Sequence, residues 1–461
     1  MLGDTVAAIS TPRGKGGVAM IRVSGPRAVE ICENVFLPKS GKRLSQIPPR
    51  QAVYGEIRAK EADGAYVSVD DGIATVFYAP ASFTGEDTVE LTCHGGILLT
   101  QTVLSAVIGA GARAAEAGEF TRRAFVSGKL GLSAAEALGE LLEAKTHAQM
   151  RLAHTGLRGA LSARCEAIYR RLCGVLAAVY VKIDYPDEDL AELSDGEIKD
   201  ALQWCEGELS SLIATYRTGH AIAEGIPTVI CGRPNGGKSS LYNRIVGHDA
   251  ARVTEIEGTT RDVLCETAPL GGVTLRLFDT AGLHDTEDPV ERIGIDRARR
   301  ALESAELILA VFDGSEKAGE ADISLVRELE GAGVPVIAVI NKSDLGGAFD
   351  TTLLSAFAHT VTLSAKDGDI SSLTCCVEQL FLSEALDITT DAVISNARQN
   401  GAAMAALDSV RRAKEALDAG LAAELYCADA EAAMQAIAEV DGRAVSEDIV
   451  SEIFSHFCVG K

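Results

Sequence analysis

The chain has 461 residues, a length that predicts roughly three domains. Hydrophobic residues make up 47% of it, yet charge or glycine interrupts every apolar run before the about 20 residues that span a bilayer. The formal net charge of −23 argues against broad electrostatic capture of nucleic acid, which needs clustered Lys and Arg. No secretory signal is visible at the start, so we expect a cytoplasmic protein that uses no membrane.

Residues 1–127 contain short β-like stretches between Gly, Pro and Asp turns, which predicts an α+β domain. The stretches are VAMIRVSG, AVYGEIRA, GIATVFYAP and DTVELTCHGG. Residues 14–19 fit a loose G-x-G-x-x-A fingerprint, but VAMIRVSG reads as a strand where that fingerprint needs a helix, so we reject a dinucleotide site. Residues 1–60 hold ten Lys and Arg against four Asp and Glu. We therefore expect any RNA contact to be local or shared with a partner.

Residues 128–222 are rich in Ala, Leu, Glu and Arg, with apolar residues at helical spacing. The same pattern returns over residues 385–461. We therefore predict one discontinuous helical domain, interrupted by a domain inserted at residues 223–384.

The inserted domain begins with a predicted buried strand at 227–231 and then G-R-P-N-G-G-K-S at 232–239, which matches the phosphate loop G-x-x-x-x-G-K-S. The following SLYNRIVG reads as a helix, so strand, loop and helix come in the required order. In such a loop the backbone N–H groups face the phosphates, Lys238 reaches the β and γ oxygens and the Ser239 hydroxyl binds Mg²⁺. A glycine turn that fits by chance is the alternative.

Two later strands lead into further nucleotide motifs. The strand VTLRLF runs into D-T-A-G, where Asp279 can hold Mg²⁺ through water and Gly282 can offer its N–H to the γ-phosphate. The strand VPVIAVI runs into N-K-S-D, where the Asp344 carboxylate can accept from guanine N1–H and N2–H₂, donors that adenine does not present. Between the phosphate loop and D-T-A-G, E-G-T-T-R-D lies where a switch is expected, and Thr260 can give Mg²⁺ a second hydroxyl. A polar surface turn is the alternative.

The base pocket needs two more groups. Asn341 is expected to tie its loop to the phosphate loop, the Lys342 stem packs along the base, and S-A-K at 364–366 offers a backbone N–H. Four motifs in this order predict GTP as the substrate. The predicted GTP-binding residues are Asn235, Gly236, Gly237, Lys238, Ser239, Ser240, Thr254, Glu255, Ile256, Glu257, Gly258, Thr259, Thr260, Asp279, Thr280, Ala281, Gly282, Asn341, Lys342, Asp344, Ser364, Ala365 and Lys366.

Taken together, the chain closely resembles the MnmE family of tRNA-modification GTPases, also called TrmE. The resemblance spans essentially the whole chain and includes IRVSG, SFTGEDTVEL, CHGG, GEFTRRAF, YPDED, GTTRD, DTAGLH, VERIGI and the terminal FCVGK. It implies a multidomain α/β and α protein. Its parts would be an N-terminal α+β tetrahydrofolate-binding and dimerisation domain, a discontinuous helical domain, and an inserted Ras-like P-loop GTPase domain with a mainly parallel sheet.

The resemblance also implies an activity and partners. A homodimer would act with the FAD-dependent protein MnmG (GidA), in a heterotetramer or larger complex. Together they would add an aminomethyl or carboxymethylaminomethyl group to carbon 5 of the tRNA wobble uridine. A tetrahydrofolate derivative, 5-formyl or 5,10-methylene, would supply the carbon. A partner that carries most of the tRNA fits the acidic charge of this chain.

Site residues follow from the same resemblance. The folate contacts would be Arg22, Glu90, Lys129 and Lys461. For Arg22 and Lys129 the alternative is an ordinary surface cation, and for Glu90 it is the exposed face of a strand. A K⁺ ion beside the phosphates would be held by Asn235, Thr254, Ile256 and Thr259, although Asn235 could instead only stabilise the loop turn.

Three residues are expected to serve catalysis: Lys238, Glu291 and Cys458. Leu283 follows D-T-A-G, so the glutamine that orients water in Ras-type enzymes is missing. The resemblance gives that task to Glu291, whose alternative is a favourable helix-start carboxylate. It also makes Cys458 necessary for modification, where a small buried thiol is the alternative.

Two other functions stay open on the sequence alone. A ribosome-assembly GTPase would share the motifs from 232 to 366, but the folate-like N-terminal part disfavours it. A scaffold that binds GTP without turnover is the second, and the retained Glu291 and switch threonines disfavour it.

Overall fold

The structure is a computed structural model that describes residues 3–61, 63–184, 194–247, 265–278, 305–383 and 385–460. The chain forms two compact units, Met1–Gly139 with Asp441–Lys461, and Glu140–Val440. None of the helices within the described ranges is both long and apolar enough to cross a membrane. The domain boundaries predicted from the sequence stay predictions.

The first unit is an α+β structure around a seven-stranded sheet of order β3-β4-β5-β6-β2-β1-β7. Its strands are β1 (Val6–Ile9), β2 (Gly16–Ser24), β3 (Phe36–Pro38), β4 (Val53–Lys60), β5 (Tyr66–Phe77), β6 (Thr88–Gly95) and β7 (Arg113–Ala114). Its helices are α1 (Ala28–Val35), α2 (Ile97–Gly109), α3 (Glu119–Val126) and α4 (Leu132–Glu143), which includes the unit boundary, with a short 3₁₀ turn at Leu44–Gln46.

Along the strands of this sheet, successive side chains point alternately into the core and to the other face. In β6, Val89, Leu91 and Cys93 point into a core that α1 and α2 complete, while Glu90 points to the other face. Strand β2 pairs antiparallel with β6 and places Arg22 opposite Glu90. The residues that resembled a dinucleotide fingerprint therefore lie at the start of a strand, which confirms their rejection.

The second unit combines helices with a six-stranded sheet of order β13-β12-β11-β8-β10-β9. The strands are β8 (Ile226–Gly232), β9 (Cys265–Leu270), β10 (Val273–Phe278), β11 (Leu307–Asp313), β12 (Val336–Asn341) and β13 (His359–Thr362). The helices are α5 (His147–Leu157), α6 (Ala160–Asp184), α7 (Asp195–Ala214), α8 (Tyr216–Ala223), α9 (Lys238–Gly247), α10 (Glu320–Leu329), α11 (Ser371–Phe381), α12 (Ala397–Asp418) and α13 (Ala423–Val440), and 3₁₀ turns lie at Ser343–Leu345 and Thr351–Ala356.

The sheet is parallel apart from the β9–β10 hairpin. Strands β11 and β12 are buried along their whole length, as expected for parallel strands covered on both faces. Strand β11 lies between β8 and β12, so the carboxyl ends of all three meet at one edge. Loops at such an edge form the ligand site of an open α/β sheet.

The helices that precede the six-stranded sheet in the sequence and the helices that follow it pack into one hydrophobic core. Side chains of α6, α7, α12 and α13 pack together, with Ile168, Leu209, Val410 and Ile437 fully buried. Polar side chains cap the starts of α7 and α12: Ser194 accepts from the Glu197 amide, and Asn396 accepts from the Gln399 amide. The predicted discontinuous helical domain, and with it the predicted fold class, is confirmed.

The last helix, α14 (Glu447–Ser455), belongs to the first unit. Its Val450 and Phe454 pack against Leu132 and Ala135 of α4. The Ser446 side chain caps its start by accepting from the Ile449 amide.

Candidate functional site

The phosphate loop joins β8 to α9 in the second unit. Asn235 and Gly237 have positive φ angles of 62° and 96°, which turn the chain before Lys238 begins α9. A Cβ on Gly237 would collide with the Asn341 side-chain nitrogen, so this close approach requires glycine. The Lys238 ammonium donates to the carbonyl oxygens of Gly232 at 2.8 Å and Arg233 at 2.9 Å, on the loop itself. The predicted strand, loop and helix are confirmed.

Asn341 links three loops at the carboxyl edge of the sheet. It closes β12 and its side chain is 2% exposed. Its Nδ2 donates to the Gly236 carbonyl at 3.2 Å, and its Oδ1 accepts from the Ala365 amide at 3.0 Å. Because both bonds are buried, they hold the phosphate loop and the S-A-K loop in one arrangement.

Asp344 has the position that base recognition needs. Its carboxylate is exposed and accepts from the Ser364 hydroxyl at 2.8 Å, while Ser364 and Ala365 are buried. This bond orients the carboxylate and leaves its second oxygen open to further N–H donors. Lys342 adopts a left-handed backbone, with φ of 61°. Residues 341–344 and 364–366, which we call the base loop, thus lie together beside the phosphate loop.

Sequence reasoning missed Asp313. It closes β11, is 3% exposed, and accepts from the Lys342 ammonium at 2.6 Å. Burial opposes its ionisation, but the Lys342 and Ser315 hydrogen bonds outweigh burial and lower the pKa of the Asp313 carboxyl. The apolar run L-I-L-A-V-F before Asp313 is the signal that could have found it, since it has the same strand-then-acid form as the motifs that were recognised.

Several predicted residues are exposed at the loops: Asn235, Ser239, Ser240 and Lys366. Others lie outside the described residues, and their predicted roles stay predictions. They are Thr254, Glu255, Ile256, Glu257, Gly258, Thr259, Thr260, Asp279, Thr280, Ala281, Gly282, Glu291 and Lys461.

In the first unit, two of the predicted folate contacts form an ion pair. The Arg22 guanidinium donates to Glu90 Oε1 through Nη2 at 2.9 Å and Nε at 3.1 Å. Both side chains are largely buried, at 13% and 23% exposure. The guanidinium carbon also lies 5.2 Å from the Phe83 ring centre and 5.7 Å from that of Phe120, within cation–π range. Neither Arg22 nor Glu90 is an ordinary exposed surface charge.

Lys129 is exposed, and its backbone amide donates to the Ala124 carbonyl at 2.9 Å. A Cβ built on Gly85 would lie 3.1 Å from Lys129 Cγ, so the lysine stem passes close to the loop after Phe83. The structure thus brings the Lys129 stem near the loop that follows Phe83. It leaves the surface-cation alternative open.

The C-terminal segment joins the same unit. The Ser10 hydroxyl donates to the Gly460 carbonyl at 2.9 Å, and Val459 forms a bridge with Ala117. Cys458 precedes these contacts and is exposed. The alternative that Cys458 is a small buried thiol is therefore wrong.

A second missed feature is the buried Arg123 in the run GEFTRRAF. Its side chain is 0% exposed and pairs with Asp4 at 2.8 Å, Glu86 at 3.0 Å and Glu119 at 2.8 Å. Glu119 also accepts from Arg113 at 2.7 Å. This network ties α3, which carries Phe120, to the segments that precede β1 and β6.

Comparison with known proteins finds matches along the whole chain. A family model described as "GTP-binding protein TrmE N-terminus" matches residues 5–129, and one described as "MnmE helical domain" matches residues 132–458. A protein named "tRNA modification GTPase MnmE" from Symbiobacterium thermophilum is 41% identical over 462 residues, which cover 99% of each chain. A protein of the same name from Bacillus subtilis is 38% identical over 463 residues, which cover 99% of this chain and 100% of that protein.

Proposed function

Because this chain belongs to the MnmE family of tRNA modification GTPases, we propose that it is a K⁺-stimulated, Mg²⁺-dependent GTPase that acts on the tRNA wobble uridine. It works as a homodimer with an FAD-dependent partner of the MnmG type. The tRNA substrate puts this activity in the cytoplasm.

The main observation in support of GTP binding is that Asn341 joins the phosphate loop to the base loop. Its two buried hydrogen bonds keep Gly236 and Ala365 at fixed positions. Asp344, oriented by Ser364, then accepts from guanine N1–H and N2–H₂. Since adenine lacks this pair of donors, the site prefers GTP over ATP.

Phosphate binding uses the start of α9. Lys238 begins that helix, whose N-terminal N–H groups and dipole favour anions. Its ammonium moves from the loop carbonyls of Gly232 and Arg233 to the β and γ oxygens when GTP binds. The exposed Ser239 hydroxyl is a hard oxygen that suits Mg²⁺. Thr260 is the proposed second ligand, and Asp279 would hold the ion through water. Mg²⁺ held there would neutralise the charge that develops on the transferred phosphate.

The exposed Asn235 side chain fits a K⁺ site, because its amide oxygen is a hard ligand on a loop turned toward the phosphates. Asn also tolerates the left-handed backbone that this turn requires, so the two roles coexist. Thr254, Ile256 and Thr259 complete the proposed set. K⁺ supplies positive charge that other GTPases obtain from an arginine finger. Glu291 orients the attacking water, and the pairing of two GTPase domains completes the site.

The first unit is the proposed folate site and dimerisation domain. The Arg22–Glu90 pair and the Phe83 ring offer hydrogen-bonding groups beside an aromatic face, which suits a pteridine. Lys129 and Lys461 supply positive charge for the anionic glutamate tail of a tetrahydrofolate. Cys458 is exposed near the end of the chain, where it is available to the modification reaction.

The partner explains how an acidic protein acts on RNA. With a net charge of −23, this chain leaves most tRNA contacts to the FAD-dependent protein. The two together add the aminomethyl-type group to carbon 5 of the uridine, and the folate supplies the carbon. Mass spectrometry of tRNA nucleosides after incubation with both proteins, the folate and GTP tests this step.

Steady-state GTP hydrolysis in matched KCl and NaCl tests the mechanism. We expect K⁺ to raise kcat of the wild type at least about tenfold and Asn235→Ala to lose that stimulation, because charge stabilisation at the transition state is lost. Asn34→Ala, at an exposed position of helix α1 in the first unit, is the matched control and keeps the stimulation. Equal rates in the two salts would leave a GTPase and refute the cation mechanism.

A further inference from the structure

Asp313, which the proposed mechanism does not use, lies between the phosphate loop and the base loop. In the register of β11 and β12 it is opposite Asn341. Its Oδ1 accepts from the Ser315 amide at 3.0 Å and hydroxyl at 2.6 Å, and its Oδ2 accepts from the Lys342 ammonium at 2.6 Å. The carboxylate is therefore fixed on the sheet, with one oxygen committed to the base loop.

The phosphate loop approaches the same end of β11 through Arg233. Its Nη2 lies 3.7 Å from Asp313 Oδ2 and 2.7 Å from Glu316 Oε2, and its Nε lies 3.7 Å from Asp322 Oδ1. Asp322 is 1% exposed. Among the described residues, neither Arg233 Nε nor Asp322 Oδ1 has a hydrogen-bond partner, so only the charge attraction at 3.7 Å joins them. Two buried carboxylates thus face the first side chain of the phosphate loop.

Lys342 needs an external restraint. Its φ of 61° is in the left-handed region, which a non-glycine residue holds only when its surroundings impose it. The ion pair with Asp313 supplies such a restraint at the far end of the side chain. With the ammonium held there, the methylene stem is kept at the place where it covers the guanine plane.

We propose that Asp313 is a positioning residue for guanine nucleotides. It fixes Lys342 for stacking on the base and, with Asp322, anchors Arg233. The base loop and the phosphate loop therefore keep a fixed position relative to each other. The inference rests on the proposed GTP site. Asp313 touches no nucleotide atom in this role. It acts through Lys342, and its negative charge is what the role requires.

The test is calorimetric titration of GDP into the full-length chain, together with the KM and kcat for GTP. Asp313→Asn keeps the shape, removes the charge and turns a side-chain amide toward the Lys342 ammonium. We expect the Kd for GDP to rise about tenfold, as for the loss of one charge-assisted hydrogen bond. The KM should rise by the same factor with kcat changed less than about twofold, because binding and not the chemical step is affected. Asp418→Asn breaks an exposed Lys–Asp pair with Lys199 and serves as the matched control.

A double-mutant cycle separates positioning from general structural support. Lys342→Met should weaken GDP binding to the same extent, and Asp313→Asn should add less than about twofold in that background. Full additivity of the two changes would overturn the proposal. Lys342 is 30% exposed, and in Lys342→Met the buried Asp313 carboxylate keeps the Ser315 amide and hydroxyl as donors, which favours folding of this variant. A Lys342→Met protein that binds GDP like the wild type also overturns it.

The outcomes for the wild type keep the two proposals apart. A wild-type chain that does not bind GDP would refute the proposed nucleotide site and the positioning role together. A wild type that binds, with both variants binding equally well, would refute the positioning role alone.

Discussion

Replacing Arg123 by methionine tests the buried charge network of the first unit. The arginine is fully buried, and its guanidinium donates to Asp4, Glu86 and Glu119 and to the Asp4 carbonyl at 3.0 Å. Methionine replaces the aliphatic stem of the arginine, so Arg123→Met retains the packing of the stem and removes every side-chain donor. The variant therefore isolates the contribution of the charge.

The size of the effect follows from the exposure of the three carboxylates. Asp4 and Glu86 are 47% and 22% exposed and can turn toward water. Glu119 is 4% exposed, but it keeps Arg113 and the Glu116 amide as donors. Breaking a buried ion pair costs about 3–5 kcal/mol, and we expect about 3 kcal/mol because Glu119 retains those two donors.

Hydrogen–deuterium exchange of the full-length chain measures this loss locally. Amides of α3 should exchange about 100-fold faster in Arg123→Met than in the wild type, since each 1.4 kcal/mol is a factor of ten. Arg122→Met, one residue away and without these ion pairs, is the matched control. Equal exchange of α3 in the two variants would refute the reasoning that the network stabilises this helix.

The same network predicts a dependence on acid. Burial raises the pKa of Glu119, but Arg113, the Glu116 amide and Arg123 outweigh it, so the pKa lies below its ordinary value. Such a carboxyl stabilises the fold above its unfolded pKa of about 4.3 and loses that contribution as the pH falls through the folded pKa. At pH values under about 4.3, and after correction for intrinsic exchange rates, the hydrogen-exchange protection of α3 should decrease in the wild type. It should decrease less in Arg123→Met.

Two further changes test the binding sites. Asn341→Ala should weaken GDP binding, measured by calorimetry, at least tenfold. It leaves the Gly236 carbonyl and the Ala365 amide buried without partners, at a cost of about 1–3 kcal/mol each. A GDP affinity equal to that of Asn34→Ala would contradict this prediction. Arg22→Ala should weaken binding of 5-formyltetrahydrofolate about tenfold by loss of a charge-assisted bond, measured by fluorescence quenching. Arg27→Ala, which breaks the exposed pair with Glu30, is its control, and equal affinities would remove Arg22 from the folate site.

The nucleotide loops were predictable because the residues that give each loop its chemistry are consecutive in the sequence. A phosphate loop needs backbone N–H groups, close approach and one lysine, and the run from 232 to 239 supplies all of them within eight positions. The left-handed angles at Asn235 and Gly237 belong to residue types that tolerate them. The strands were also predictable, because runs of β-branched and apolar residues indicate a buried sheet from the local sequence alone.

The folate contacts were less accessible to this reasoning. Nothing in the pattern around Arg22 pairs it with Glu90, 68 residues away, until β2 and β6 are placed side by side. Family resemblance suggested both residues, and only the register of the two strands brings them together. Lys461 and the switch residues lie outside the described residues, so their places in these sites stay predictions.

By itself, the sequence determined that this protein binds a nucleotide on a parallel sheet between two helical segments, because each motif is a short-range property of the chain. Only the tertiary structure decided which charges meet. Asp313 and Lys342 are 29 residues apart, and Asp4 and Arg123 are 119 apart. Their pairing depends on strand order and burial, which many distant residues set together, and a buried charge is stable only where that assembly supplies its partner.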